Sequence, residues 1–382
     1  MGPQTQKLNP LLGLKDYGQS VWLDYMRRHL ITSGELKRMV EEDGLCGMTS
    51  NPSIFEKAID ESADYKEALE AIVSQKGMDA KKVYEKIAIE DIQLAAAVLG
   101  PVYRETNGKD GYISMEVSPY LAHDTQGTIE EARRLWKSIG RPNIMIKVPG
   151  TPEGMPAIEQ LTAEGININI TLIFSCEVYE QVMQAYMSGL KKYVIQHDDA
   201  SHIASVASFF VSRIDSDVDG ILTQRLSQSK DRQESDLIKG ILGKVAIANA
   251  KLAFGRYQQF FNTVEWKVLE KHGARPQRLL WASTSTKNPR YRDVLYVEEL
   301  IGQNTINTMP PATFEAFKDH GRLRPSLTEN IDDARRTMGV LSQLGISFEY
   351  VTDQLLIKAV DLFSTPFGNL LAKLQAKIDG GG

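Results

Sequence analysis

The feature that most constrains this 382-residue chain is a set of eight short strand-like segments, each separated from the next by a stretch of helical character. They lie at 20–23, 45–49, 112–117, 144–148, 166–173, 203–211, 278–283 and 305–309. Short apolar or alternating runs interleaved with helices are the pattern of βα units, whose strands lie parallel. Eight such strands are what a closed (β/α)8 barrel requires, and barrels of this kind carry their active sites at the C-terminal ends of the strands. The expected fold class is therefore α/β: a (β/α)8 TIM barrel, as a single domain over 1–382, with additional helices.

Between the third and fourth strands, Thr128-Ile-Glu-Glu131 reads as a capping box that opens a helix with Ile129, Ala132, Leu135, Trp136 and Ile139 on one face. The stretch 222–261 is long, helical in character and polar at 227–235. It reads as an insertion on the barrel face, and covering the active site is one use for it. Beyond the last strand, Ile331, Ala334, Met338, Leu341 and Leu344 recur at helical spacing, and 355–374 is apolar enough for a further helix. Together they predict a C-terminal helical extension over about 331–378.

Composition excludes several function classes. The net charge is −5 and no stretch resembles a basic arm, so a general nucleic-acid binder is not expected, and an anionic substrate needs a local basic pocket. Cys46 and Cys176 are far apart, form no CxxC pair and sit in or beside apolar segments, as small buried hydrophobes do. No N-terminal stretch has the parts of a signal peptide, and no apolar run is expected to approach membrane-spanning length. The reading is a cytoplasmic, reducing setting with no membrane partner.

Two of the strands alternate polar with apolar residues. In 166–172, Asn167, Asn169 and Thr171 oppose Ile166, Ile168, Ile170 and Leu172; in 112–118, Ser114, Glu116 and Ser118 oppose Ile113, Met115 and Val117. In an antiparallel sheet such a polar face is simply wet. In a barrel whose apolar face packs on helices, the same residues point inward. The strand between them carries Lys147 among Ile144, Met145, Ile146 and Val148. Desolvation disfavours an ammonium, which is how a lysine becomes an amine nucleophile able to form a Schiff base with a carbonyl. A structural ion pair with Glu116, or a lysine that reaches water from the strand end, explains the same pattern. Asp24, closing the first strand, adds a second carboxylate, although an Asp at a strand end also serves as a cap or turn former.

At Gly47-Met-Thr-Ser-Asn-Pro-Ser-Ile54 and at Ile144-Met-Ile-Lys-Val-Pro-Gly-Thr-Pro-Glu-Gly154 the chain resembles the transaldolase family at both of its signature segments. The resemblance runs from Asp24 to Thr308-Met-Pro310. Trp281-Ala-Ser-Thr-Ser-Thr-Lys-Asn-Pro289 and Val294-Leu-Tyr-Val-Glu-Glu-Leu300 resemble the longer actinobacterial and cyanobacterial branch, which is also similar to the transaldolase half of fusions with glucose-6-phosphate isomerase. The chain is too short to include an isomerase half.

The resemblance implies a metal-independent, cofactor-free transfer of a dihydroxyacetone unit between sugar phosphates, by an enzyme that is a monomer or homodimer. It places Lys147 on the Schiff-base lysine, Asp24 on the acid/base at the C4 hydroxyl, and Glu116 with Thr171 on the water that shuttles protons during imine formation. It places Asn51, Asn169 and Ser208 on the hydroxyls of the three-carbon fragment and Phe210 beside the catalytic water. Arg213, Ser283 and Lys287 fall on the phosphate. Asn51 before Pro52 is equally a turn residue, and Phe210 equally core. Compact transaldolases carry an arginine soon after the serine, where this chain has extra residues and then Lys287.

Two rival readings remain. A Schiff-base aldolase would release dihydroxyacetone instead of passing it on; fructose-6-phosphate aldolases are shorter and have a tyrosine where this chain has Phe210. A catalytically dead barrel kept for binding would tolerate loss of Asp24, Glu116 or Lys147, yet all three are present.

Overall fold

The computed structural model describes residues 9–61, 63–73, 75 and 77–380. Strands β1 (Gln19–Asp24), β2 (Leu45–Thr49), β3 (Tyr112–Glu116), β4 (Ile144–Pro149), β5 (Ile168–Ile173), β6 (Ser205–Phe210), β7 (Arg278–Ala282) and β8 (Thr305–Met309) form a closed barrel in sequence order. Each neighbouring pair is parallel, including β1 with β8, which closes the ring. The expected strands all occur. Val21, Leu23, Ile113, Ile144, Ile146, Val148, Ile168 and Ile170 are buried in one continuous apolar core shared with the helices. That burial frees the opposite face of the same strands to carry polar groups inside the ring.

Close packing inside the ring restricts β2. A Cβ on Gly47 would lie 2.4 Å from the Trp22 indole, so β2 passes that ring only as glycine. The β5 alternation is regular only as far as Thr171. Leu172 takes φ 62, and the β5–β6 register shifts between Ile170 and Ile173, an irregularity of the kind that re-aims side chains at a barrel rim.

The helix after β3 differs from its expected start. It runs Thr125–Ile139 and is capped by Asp124, whose carboxylate accepts from Gly127 N at 2.9 Å. Thr128 and Glu131 lie inside the helix, where their side chains are free for tertiary bonds. Thr128 Oγ1 donates to Leu121 O, and Glu131 Oε1 accepts from Ser118 N at 2.6 Å, which fixes the loop leaving β3.

Four helices connect β6 to β7: Ser212–Gln228, Arg232–Ile241, Val245–Phe260 and Val264–Glu270. Residues 222–261 run from the last turns of the first to the C-cap of the third. Arg225 donates to Leu344 O, and Lys251 Nζ donates to Glu329 O at 2.9 Å, so this stretch is tied to the residues that flank the helix Ile331–Gln343.

The last helix, Phe348–Gly380, lies across the C-terminal mouth of the barrel, packing on β5 and on helices that follow β2, β3 and β6. Phe363, Phe367, Leu370 and Leu374 are buried beneath it, each contributing about 1.5–3 kcal/mol. Phe367 stacks edge-on with Tyr84 and Tyr120, and Lys358 Nζ pairs with Asp217 at 2.6 Å. By length and hydropathy this helix is apolar enough to cross a membrane, contrary to the expectation that no run approaches that length. Only 28% of its most apolar window is buried, along the stripe that seats the helix on the barrel.

Candidate active site

The site is built on one rung of the barrel. Glu116 of β3 is in register with Lys147 of β4, which is in register with Asn169 of β5, so three side chains on neighbouring strands point inward together. Lys147 is 4% exposed and Glu116 9%, far below what a charged residue shows without a partner. Lys147 Nζ donates to Ser50 O at 3.1 Å and stands 3.3 Å from Glu116 Oε2. The Phe363 ring from the C-terminal helix roofs the amine, its centroid 5.7 Å from Nζ.

Burial pushes the Glu116 carboxyl above its usual range; Lys147 opposes that shift and nearby Asp24 adds to it. Asp24 is raised for the same first reason, against Lys147, the Thr49 hydroxyl, Arg213 and Lys287. Thr49 Oγ1 donates to Asp24 Oδ1 at 2.6 Å and itself contacts Thr308 Oγ1 at 2.8 Å. Two carboxyl groups and an amine thus share one poorly hydrated space. Apart from the ion pair with Lys147, Glu116 Oε2 and Thr171 Oγ1 are buried there without a hydrogen-bond partner among the described residues.

Beside this centre, Asn169 bridges two hydroxyls: its Nδ2 donates to Ser114 Oγ at 3.0 Å, and its Oδ1 accepts from Ser208 Oγ at 2.7 Å. Asn51 behaves as the turn reading supposes, its Oδ1 accepting from Ile54 N at 3.1 Å at the start of the helix Pro52–Glu61. Phe210, at the end of β6, packs edge-on against Phe174 and lies under the Arg213 guanidinium, 5.7 Å from centroid to Cζ. Ser283 follows β7 in a left-handed conformation at φ 56, a strained state for a serine, and its Oγ is 3.0 Å from Ser212 Oγ. The barrel therefore brings Ser283 next to Arg213.

Lys287 is exposed, and its Nζ donates to Ser285 Oγ at 2.7 Å. Burial lowers the pKa of both Arg213 and Lys287, while Asp24 raises both; the Arg213 charge further lowers Lys287. Two cations and Asp24 thus lie within electrostatic reach of one another near the strand ends, a place for an anionic group. Sequence reasoning missed Thr49, Ser50 and Phe363. Thr49 and Ser50 lie within the first signature segment and were open to the same inward-pointing argument, whereas Phe363 sits on a helix whose docking no local pattern reveals.

Fold and site together define a (β/α)8 barrel with an enclosed lysine amine beside two carboxyl groups whose pKa burial raises. Over residues 21–374 the chain matches the family model for transaldolase/fructose-6-phosphate aldolase. It is 47% identical over 375 residues to transaldolase 2 of a Nostoc species, covering 97% of this chain and 98% of the relative. It is 46% identical to the transaldolase of Trichodesmium erythraeum, covering 97% and 98%, and 42% identical to transaldolase 1 of Streptomyces avermitilis, covering 97% and 96%. The chain belongs to the transaldolase/fructose-6-phosphate aldolase family.

Proposed function

We propose that the chain is a transaldolase, moving a dihydroxyacetone unit from a ketose phosphate such as fructose 6-phosphate or sedoheptulose 7-phosphate to glyceraldehyde 3-phosphate or erythrose 4-phosphate in the pentose phosphate pathway. The observation that carries this reading is the buried Lys147 amine inside the closed barrel, 3.3 Å from Glu116. Lys147 attacks the ketone carbon. Glu116, held above the usual carboxylate range by burial, is disposed to take and return protons as the carbinolamine loses water. Glu116 Oε2 and Thr171 Oγ1 supply polar partners for the water of that step.

Asp24 takes the proton from the C4 hydroxyl as the C3–C4 bond breaks, and the electron pair is received by the imine. Asn51, Asn169 and Ser208 hold the hydroxyls of the retained fragment, beside Phe210. Arg213, Ser283 and Lys287 hold the phosphate of the departing aldose and then of the incoming one. Because the fragment stays on Lys147 between these events, the kinetics are ping-pong. Both thiols are free, with burial pushing each up to about 12, which suits a reducing, cytoplasmic setting. The functional unit in this reading is a monomer or homodimer.

The rival within the family is a simple aldolase. Phe210, which has no phenol hydroxyl to offer water, favours transfer. A product assay separates the two: with fructose 6-phosphate alone a transaldolase releases little dihydroxyacetone, and turnover rises on adding erythrose 4-phosphate. Free dihydroxyacetone at the full rate regardless of acceptor would establish the aldolase instead.

A further inference from the structure

The helix Ser212–Gln228 carries two sets of charged residues. Arg213 points to the barrel mouth. Asp215, about 200° further round the helix, and Asp219, one turn on, point away from it. Both are buried, at 1% and 8% exposure. Each carboxylate is shared between a backbone amide and a tyrosine of the segment after β7. Asp215 accepts from Ala246 N at 2.8 Å and Tyr296 OH at 2.9 Å; Asp219 accepts from Gly243 N at 3.0 Å and Tyr291 OH at 2.7 Å. Gly243, at φ 68, forms a seat for the second tyrosine, since a Cβ there would lie 2.6 Å from the Tyr291 ring.

Lys287 precedes Tyr291 by four residues in the same loop. Thr286 Oγ1 donates to Arg292 O at 2.9 Å and Tyr291 N to Asn288 O at 3.0 Å, so the loop is internally braced and moves with its tyrosine. Asp219, Lys287 and Tyr291 line one cleft of about 390 Å³. Asp219 therefore anchors the loop bearing one cation to the helix bearing the other.

We propose that Tyr291, through Asp219, is a positioning residue that holds Lys287 opposite Arg213, and that this latch sets the preference for phosphorylated over unphosphorylated sugars. The inference rests on the reading of Lys287 as a phosphate ligand. The latch touches none of Lys147, Glu116 or Asp24, so its effect falls on binding and not on the imine steps.

The test is Tyr291→Phe in the full chain, which keeps the ring in its seat and removes one hydroxyl. Steady-state kinetics are compared for fructose 6-phosphate and fructose, with erythrose 4-phosphate as acceptor at saturation. The expected result is a KM for fructose 6-phosphate raised about 10-fold, as for loss of a charge-assisted hydrogen bond, with kcat within about twofold and the KM for fructose unmoved. The inhibition constant of inorganic phosphate rises in parallel. In a Lys287→Ala background the same change adds nothing. Equal loss for both sugars, or an undiminished effect in that background, would overturn the latch and make Tyr291 a general structural residue. An unchanged KM for fructose 6-phosphate in Lys287→Ala alone would strike the phosphate reading itself, and the latch with it.

Discussion

The two ends of the barrel each bury an ion pair, and they treat it in opposite ways. At the N-terminal end, Arg278 donates to Lys109 O, Asp110 Oδ1, Ser20 Oγ and Thr305 O, while Asp110 also accepts from Ser20 Oγ and Trp22 Nε1. Both terminal NH2 groups and both carboxylate oxygens have partners, which is how a buried ion pair is made tolerable; of this pair, only the guanidinium Nε is buried without one among the described residues. At the C-terminal end, Lys147 has one backbone carbonyl and a carboxylate at 3.3 Å, and beyond that amine Glu116 Oε2 has no hydrogen-bond partner among the described residues. The same elements, a cation and a carboxylate inside one ring, form a heavily bonded plug at one end and a sparsely bonded pair at the other. The number of hydrogen bonds around the pair, more than burial, distinguishes them.

The sharpest way to break this contrast is to remove one cation at a time. Lys147→Ala is expected to lower kcat by about 10⁴-fold or more with no fall in melting temperature, because the nucleophile is lost while its under-satisfied site is relieved. Arg278→Ala is expected to destabilise the fold by about 3–5 kcal/mol in chemical denaturation, leaving Asp110 buried and unpaired, while folded protein still reacts at Lys147. If the two variants exchanged phenotypes, the division of roles between the ends would be wrong. Glu116→Gln sharpens the contrast, with kcat reduced about 10²–10³-fold in steady-state assays and little change in stability.

Smaller effects follow from proton linkage. Asp24 is held up by burial and pulled down by Thr49, so the acid limb of kcat/KM lies above the ordinary carboxylate range, and Thr49→Val moves it to higher pH. A limb that stays in place or moves down in that variant would remove Asp24 from the cleavage step. Asp215, outside the centre, is pushed up to about 7, first by burial, from a usual value near 3.8. The folded state then holds a proton that the unfolded chain has released, so stability falls as pH rises from about 4 through about 7. Asp215→Asn flattens that slope in thermal melts across the window; an unaltered slope would place its origin elsewhere.

The ring itself was legible because strand periodicity and helix periodicity differ, and eight alternations leave one closed parallel architecture to satisfy them. The rung of Glu116, Lys147 and Asn169 was legible for the same reason: alternation says which face a residue takes, and a charged residue on an enclosed face needs an explanation. Thr128 misled because Thr-x-x-Glu marks a cap only where the preceding chain is not already helical, and Asp124 had capped four residues earlier. The roof over Lys147 was out of reach. The apolar run at 355–374 announced a helix, but which surface it covers depends on Phe367 meeting Tyr84 and Tyr120, contacts of long sequence separation. The Asp219–Tyr291 latch was hidden for the same reason, since a polar helix face and a loop tyrosine look solvated until they meet.

The most direct measurement of the central claim is borohydride reduction in the presence of fructose 6-phosphate, followed by peptide mass mapping. The account predicts a single reduced dihydroxyacetone adduct, on the peptide that contains Lys147, and none in Lys147→Ala. An adduct on another lysine, or no adduct from protein that turns the sugar over, would contradict it.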